Sequence, residues 1–337
     1  MKKACLVVTA PYDKGEIFNP RSRLNRDNCL QFFYDLKLCL AKNGIDLNTQ
    51  DIHSPEVCDF IIFNEMPKYS VPESLKNKAV LLLFESELIR PDNWDLKKHN
   101  QFKQIFTWND SFVDNRKYFK FNFTHAGGVD FVSFKKKTGF CTLIAGAKSV
   151  KHPLELYSKR IEAIRWFEEH DPANFQFFGM GWSMHTFNVP VLSKILNRLQ
   201  FLRRAFAKQW PSYHGSVVDK LTTLKKYKFS ICYENAYGIP GYITEKIFDS
   251  LTAGCIPIYW GAPNVTDFIP QACFIDRTQF SSYEELNTFL HGMTESEYEN
   301  RLNDINKFLK SDRHKWFEPL FVAQKVTEDM LKINEGR

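Results

Sequence analysis

The stretch Tyr227-Lys228-Phe229-Ser230-Ile231-Cys232-Tyr233-Glu234-Asn235, followed after a short turn by Gly241-Tyr242-Ile243-Thr244-Glu245-Lys246, decides how this chain folds. It reads as a strand, a loop and the start of a helix. Ile243, Ile247 and Leu251 recur at helical spacing, while Glu245, Lys246 and Asp249 fall on the opposite side. Gly254 supplies a stop, and Ile256-Pro257-Ile258-Tyr259-Trp260 returns as a short buried strand that ends at Gly261. The unit is strand, helix, strand, with its polar groups gathered beside the first helical turn. Backbone N–H groups at a helix start are unpaired and the dipole end is positive, so a diphosphate is the natural guest and Lys246 adds a full charge.

Taken together, Tyr-Lys-Phe, Glu-Asn, Tyr-x-Thr-Glu-Lys, Ala253-Gly254-Cys255-Ile256-Pro257-Ile258 and Gly261 resemble the signature of the α1,3/4-fucosyltransferase family, glycosyltransferase family 10. The resemblance is strong over residues 215 to 265. Weaker echoes occur at Phe84-Glu85-Ser86, at Arg90-Pro91-Asp92-Asn93-Trp94 and around Arg160. It implies a GT-B fold, two Rossmann-like α/β domains facing a cleft. It also implies inverting transfer of L-fucose from GDP-β-L-fucose, in α1,3 or α1,4 linkage, to an N-acetylglucosamine or glucose unit of a glycan.

Outward from the signature, short apolar runs alternate with helical patterns: Ala4 to Ala10, a helix around Asn28 to Lys42, Phe60 to Phe63, Ala79 to Phe84, and Gln104 to Trp108. This is α/β layering. The basic stretch Lys135-Lys136-Lys137-Thr138-Gly139 interrupts the series before a fresh strand, Phe140 to Ala145. A second series follows, with a helix from about Pro153 to His170, strand Phe175 to Phe178, the turn Gly179-Met180-Gly181, strand Phe229 to Tyr233 and the signature unit. The expected division is an acceptor-binding domain over 1–138, a donor-binding domain over 139–311, and a C-terminal segment over 312–337, whose helix from Pro319 to Asn334 packs back on the body.

A chain of 337 residues suits two domains that each bury a core. At 44% hydrophobic and 25% charged, the composition is that of a globular protein, and the 31 phenylalanines point to ring-rich cores. Basic residues are scattered among nearly as many acids, so the net charge of +6 does not imply nucleic acid binding. The eight cysteines form no Cys-x-x-Cys pair or zinc-spaced cluster, and Cys141, Cys232 and Cys255 sit in apolar runs, as buried free thiols do in a reducing cytoplasm. Lys2 and Lys3 precede an apolar run too short for a signal peptide, and no stretch reaches membrane-spanning length. Golgi relatives carry such a span, so the resemblance points here to a bacterial-type cytoplasmic member. Over residues 191 to 210, Lys194, Arg198, Arg203, Arg204 and Lys208 interleave with Ile195, Leu196, Leu199, Leu202, Phe206 and Trp210. That reads as a basic amphipathic helix, either core-packed with a solvated face or touching a membrane peripherally.

Fucosyl transfer needs a cradle for the departing diphosphate, tolerance of a cationic sugar, and a base for the acceptor hydroxyl. The resemblance assigns the cradle to Arg160 and Lys246, with Arg165 as the nearby competitor of Arg160. Glu245 matches the family's signature acid at the sugar or ribose hydroxyls, and also suits a first helical turn as a cap. Tyr242 and Asn235 would line the nucleotide pocket, and Glu234 reads as a neighbouring anchor. Glu85, at the C-terminal end of a strand that opens onto the cleft, matches the family's base and is favoured over Glu87. Ala145, Val217, Ser230 and Trp108 follow the nucleotide-contact pattern as backbone or packing contacts. No Asp-x-Asp pair occurs, so no divalent metal is expected. The competing expectations are a GT-B transferase using another GDP-sugar and a non-catalytic glycan- or nucleotide-binding protein.

Overall fold

A computed structural model describes residues 1–129, 131–184 and 193–335. Short apolar segments pair into two sheets. In the first, β1 (Lys2–Val7), β2 (Ile45–Thr49), β3 (Phe60–Asn64), β4 (Ala79–Leu83), β5 (Gln104–Thr107) and β6 (Tyr118–Lys120) run in the order β2-β1-β3-β4-β5-β6. In the second, β7 (Gly139–Ile144), β8 (Phe175–Phe178), β9 (Tyr227–Tyr233), β10 (Ile256–Trp260) and β11 (Ile275–Asp276) run β11-β10-β9-β7-β8. Every pairing among these strands is parallel. Parallel sheets need cover on both faces, and the strands show it: all of β4, Ala-Val-Leu-Leu-Leu, is buried.

Strands with long apolar runs sit where the sequence places them. The misses are at edges. β2, Ile45-Asp46-Leu47-Asn48-Thr49, alternates buried and half-buried residues and carries polar Asp46 and Asn48 in place of an apolar run, and β6 and β11 have only three and two residues. The helix expected from Pro153 begins instead at Tyr157 and runs to His170. Residues 154–156 are occupied otherwise: Leu156 N–H donates to Asn235 O at 3.0 Å, and Tyr237 N–H donates to Leu154 O at 3.0 Å. This extended pairing ties the start of the helix to the end of β9.

The basic stretch is not one helix. Residues 191 and 192 lie outside the described residues, and the rest forms two short helices, Ser193–Leu196 and Gln200–Ala205. Between them Arg198 N–H and Leu199 N–H bond back three residues, to Ile195 O and Leu196 O. Ile195 and Phe201 lie exposed, so no core holds their turns in one continuous helix.

Phenylalanine fills both cores. Phe32, Phe84 and Phe121 meet edge to face over the first sheet, and Phe167, Phe175 and Phe177 stack under the second. The C-terminal helix Pro319–Glu335 crosses back to the first sheet. Its Val322, Ala323, Val326 and Met330 join Leu36 and Leu40 of helix Gln31–Lys42 in one buried cluster. Gln104 Nε2, from β5, donates to Asp329 O at 2.8 Å. The first lobe is therefore closed by the C-terminal end of the chain, and the C-terminal ends of the strands of both lobes meet at a shared cleft.

Candidate active site

The floor of the cleft is the signature unit. Helix Glu245–Thr252 buries Ile247 and Leu251 against the second core, which leaves Glu245, Lys246 and Asp249 on the cavity side. Its first turn is fixed by Glu234, at the end of β9 and fully buried. One Glu234 oxygen accepts Thr244 N–H at 2.8 Å; the other accepts Thr244 O–H at 2.7 Å and Lys246 Nζ at 3.2 Å. Lys246 Nζ also donates to Thr244 Oγ1 at 2.8 Å and stands 3.8 Å from Glu245. Glu234 is thus the anchor of the helix start. A buried carboxylate left without these donors would be costly, so the spacing of Glu234, Thr244 and Lys246 is fixed by packing.

Charge follows from this arrangement. Burial disfavours the Lys246 ammonium, but Glu234 and Glu245 outweigh it and hold the amine protonated, well above the usual lysine range. Burial likewise pushes the Glu245 carboxyl up, and Lys246 with Lys220 pulls it below the usual glutamate range. Glu245 is ionised at neutral pH. Arg160, on helix Tyr157–His170, is 5% exposed and lies behind the loop after β9. Its Nη2 donates to Tyr233 O at 2.7 Å, Glu234 O at 2.8 Å and Asn235 Oδ1 at 3.1 Å. Its guanidinium therefore shapes the loop as well as lining the cavity. Arg165 is turned elsewhere, onto Glu168 at 2.8 Å and the Trp210 ring.

Across the cleft, β4 delivers Phe84 and Glu85 to the same cavity, which measures about 500 Å³. Solvent reaches Glu85 from the cleft, yet the surrounding walls remove enough water to raise its pKa above the glutamate norm, with Lys148 and Lys246 opposing the rise. Glu87, two residues on, does not line the cavity.

Of the residues expected from sequence, Glu85, Glu245, Arg160, Lys246, Tyr242, Asn235, Ser230, Val217 and Ala145 line this one cavity. Trp108 does not. It is 1% exposed, packs against Tyr242 with ring centroids 4.6 Å apart and the rings tilted by 48°, and donates its indole N–H to Phe84 O at 2.8 Å. Its part is to brace the loop that carries Glu85 against Tyr242. Ser230 Oγ is spent on Ser250 Oγ at 2.6 Å, and Ala145 O accepts the Trp182 indole at 2.7 Å, so both contribute wall more than donors. Tyr242 receives Asn235 Nδ2 at 3.4 Å, and burial keeps its phenol neutral.

Sequence reasoning passed over Arg26, Asp27, Lys148 and Lys220, which also line the cavity. Arg26 and Asp27 come from the first lobe and reach the second. Arg26 Nη2 contacts Val217 O at 3.4 Å, and Asp27 lies 3.5 Å from Lys220, which in turn pairs with Asp249 at 2.9 Å. Asp27 sits at a positive φ of 54°, a contortion that no local pattern announces. Among the described residues, no group of three or more His, Cys, Asp or Glu side chains is placed to share a metal ion.

Residues 191–310 match the family model described as glycosyltransferase family 10 (fucosyltransferase), C-terminal. An α-(1,3)-fucosyltransferase of Helicobacter pylori, FucT, is 38% identical over 99 residues, which is 27% of this chain and 20% of that protein. An α-(1,4)-fucosyltransferase of Arabidopsis thaliana is 42% identical over 67 residues, 20% of this chain and 16% of that protein. The chain thus matches a fifth or less of the length of these relatives. The crystal structure of an α1,3-fucosyltransferase with GDP superposes with a TM-score of 0.59 at 15% identity, covering 98% of this chain and 89% of that one. A T4 phage BGT crystallised with UDP and Mn²⁺ gives a TM-score of 0.52 at 12% identity, covering 98% of this chain and 99% of that one. At such identities the likeness is one of fold, and the fold is GT-B.

Proposed function

We propose that the chain, whose residues 191–310 match the C-terminal family model of the glycosyltransferase family 10 fucosyltransferases, transfers L-fucose from GDP-β-L-fucose to a hydroxyl of a glycan. The observation that carries this reading is one cavity holding Lys246, Arg160 and a helix start on one side and Glu85 on the other. Its volume of about 500 Å³ falls in the range of small-molecule sites.

In this reading residues 139–311 hold the donor and residues 1–138 present the acceptor. Lys246, Arg160 and the unpaired N–H groups of helix Glu245–Thr252 take the diphosphate and the charge that grows on it as the bond from sugar C1 to phosphate oxygen breaks. Glu245, ionised, faces the positive charge that develops on the sugar. The acceptor oxygen attacks C1 from the opposite face and passes its proton to Glu85, so that configuration inverts and GDP leaves. A carboxylate whose pKa is raised by burial suits a general base, because its proton affinity grows. The cationic cradle does without a divalent metal.

The acceptor is proposed as an N-acetylglucosamine or glucose unit linked α1,3 or α1,4, and the compartment as the cytoplasm, where the eight free cysteines would persist. Among the described residues no helix is long and apolar enough to cross a membrane. Exposed Ile195 and Phe201 beside Arg198 support peripheral contact with anionic lipid. Vesicle co-sedimentation that Arg203→Ala and Arg204→Ala leave unchanged would remove that contact. For the reaction itself, GDP-fucose and GDP-mannose are compared with a glycan panel, with linkage analysis of products. Turnover with fucose supports the reading; turnover with mannose alone indicates another GDP-sugar transferase, and binding without turnover a non-catalytic protein.

A further inference from the structure

The peptide of Glu85 is gripped on both sides by side chains that the reaction scheme does not use. Its N–H donates to Glu65 Oε1 at 2.8 Å. Its carbonyl accepts Asn93 Nδ2 at 3.2 Å and the Trp94 indole at 3.0 Å. Asn93 closes the loop by also donating to Glu65 Oε2, while its own Oδ1 accepts Met66 N–H at 2.9 Å. Both carboxylate oxygens of Glu65 are thereby engaged, one by the Glu85 N–H and one by Asn93, which also holds the Glu85 carbonyl.

Glu65 follows directly on β3, the neighbour of β4, and its backbone takes φ of +76°. For a side chain other than glycine or asparagine that conformation is disfavoured and persists only when the surroundings impose it. We infer that Glu65 is a positioning residue: its carboxylate, with Asn93, fixes the peptide of Glu85 and so the aim of the proposed base across the cleft. The inference rests on the reading of Glu85 given above. A group that acts at one reacting proton must be held closely, because a displacement of order 1 Å lowers rates by about 10²-fold.

The site also carries a pH dependence. Burial pushes the Glu65 carboxyl up to about 7, with the Glu85 N–H and Asn93 opposing, the Glu85 charge adding to the rise and Arg90 opposing it. The other charged or titratable groups around it are Asp92, which binds Arg90, and His99, whose Nε2 lies 2.7 Å from Asn93 O. A proton taken up by Glu65 as pH falls turns an acceptor oxygen into a donor that faces either an N–H of Asn93 or the N–H of Glu85. The grip then loosens, and because the proposed base Glu85 must itself be ionised to accept a proton, the acid limb of activity should follow two protons.

The test compares wild type, Glu65→Ala and Glu65→Gln. Glu65→Ala should lower kcat ~10- to 100-fold with the KM for GDP-fucose unchanged. Glu65→Gln mimics the protonated carboxyl, keeping an acceptor for the Glu85 N–H but setting an NH2 against Asn93, so it should show a smaller fall in kcat than Glu65→Ala and leave a one-proton acid limb. Full activity in Glu65→Ala, or a fall that raises donor KM in step, overturns the role. Should Glu65→Ala not fold, the acid limb of Glu65→Gln decides: one proton supports the inference and an unchanged two-proton limb overturns it. Carbon-13 NMR titration of labelled glutamate needs no donor; a shifted Glu85 titration in Glu65→Gln supports the role and an unshifted one refutes it. A wild type that titrates as described but does not turn over GDP-fucose overturns only the proposed reaction.

Discussion

Lys246 is held by acids on two sides, Glu234 at 3.2 Å and Glu245 at 3.8 Å, which keeps its charge and its direction fixed before any ligand arrives. A preset cation loses little freedom on meeting phosphate oxygens, so its removal should be felt mainly by the diphosphate. Lys246→Ala is expected to weaken GDP binding by about 1.5–3 kcal/mol, typical of a charged hydrogen bond, while leaving guanosine affinity unchanged. Parallel calorimetric titrations check this, and equal losses for the two ligands would contradict it. Lys246 and Glu245 were legible in the sequence because helical spacing alone puts them opposite Ile247 and Leu251. Glu65 was not, since its partner lies 20 residues away in a neighbouring strand. Trp108 was placed in the nucleotide pocket by pattern, whereas its ring is turned behind Tyr242, a matter of packing that spacing cannot convey.

At the scale of elements, two close approaches hold the cleft in shape. Gly241 takes φ of +80°, and a Cβ there would come 2.2 Å from the carbonyl oxygen of Trp108, at the contact between the lobes. Gly241→Ala should therefore destabilise the fold by ~1–3 kcal/mol, the usual scale of a strained backbone, and loosen Tyr242 next to it. Denaturant unfolding measures the first effect; an unchanged midpoint would contradict the contact. Gly179 is similarly constrained, its Cβ position lying 1.8 Å from Ala145 O. The strong strands and the signature helix were readable because long apolar runs and a 3.6-residue period leave few choices. Edge strands β6 and β11 carry too few residues for a pattern, and β2 breaks its apolar positions with Asp46 and Asn48. In the stretch 191–210 the helical periodicity is not matched by burial, since Ile195 and Phe201 lie exposed, and periodicity without burial does not make a continuous helix.

Across the whole molecule, the lobes are joined by charge as well as by chain. Asp27 of the first lobe, Lys220, Asp249 and His125 form a line across the cleft, with Asp249 3.3 Å from His125. Burial raises the Asp249 pKa, but His125 and Lys220 together hold it below the usual aspartate range. Its stabilising contribution is thus full above that range and is lost as pH falls through the depressed value. Asp249→Asn should accordingly flatten the acid side of a plot of Tm against pH, which thermal melts would show. The two-lobed plan could be read from alternating strands and helices, but the crossing of helix Pro319–Glu335 to the first core depends on contacts between chain ends. The proposed action of Glu85 across the cleft, on a donor held by Lys246, is tested by the pH profile of fucose transfer from GDP-fucose by wild type and Glu85→Gln, with GDP affinity determined alongside. A fall in kcat of ~10²-fold or more in Glu85→Gln with GDP binding intact is expected; transfer at the wild-type rate would remove Glu85 from the role of base.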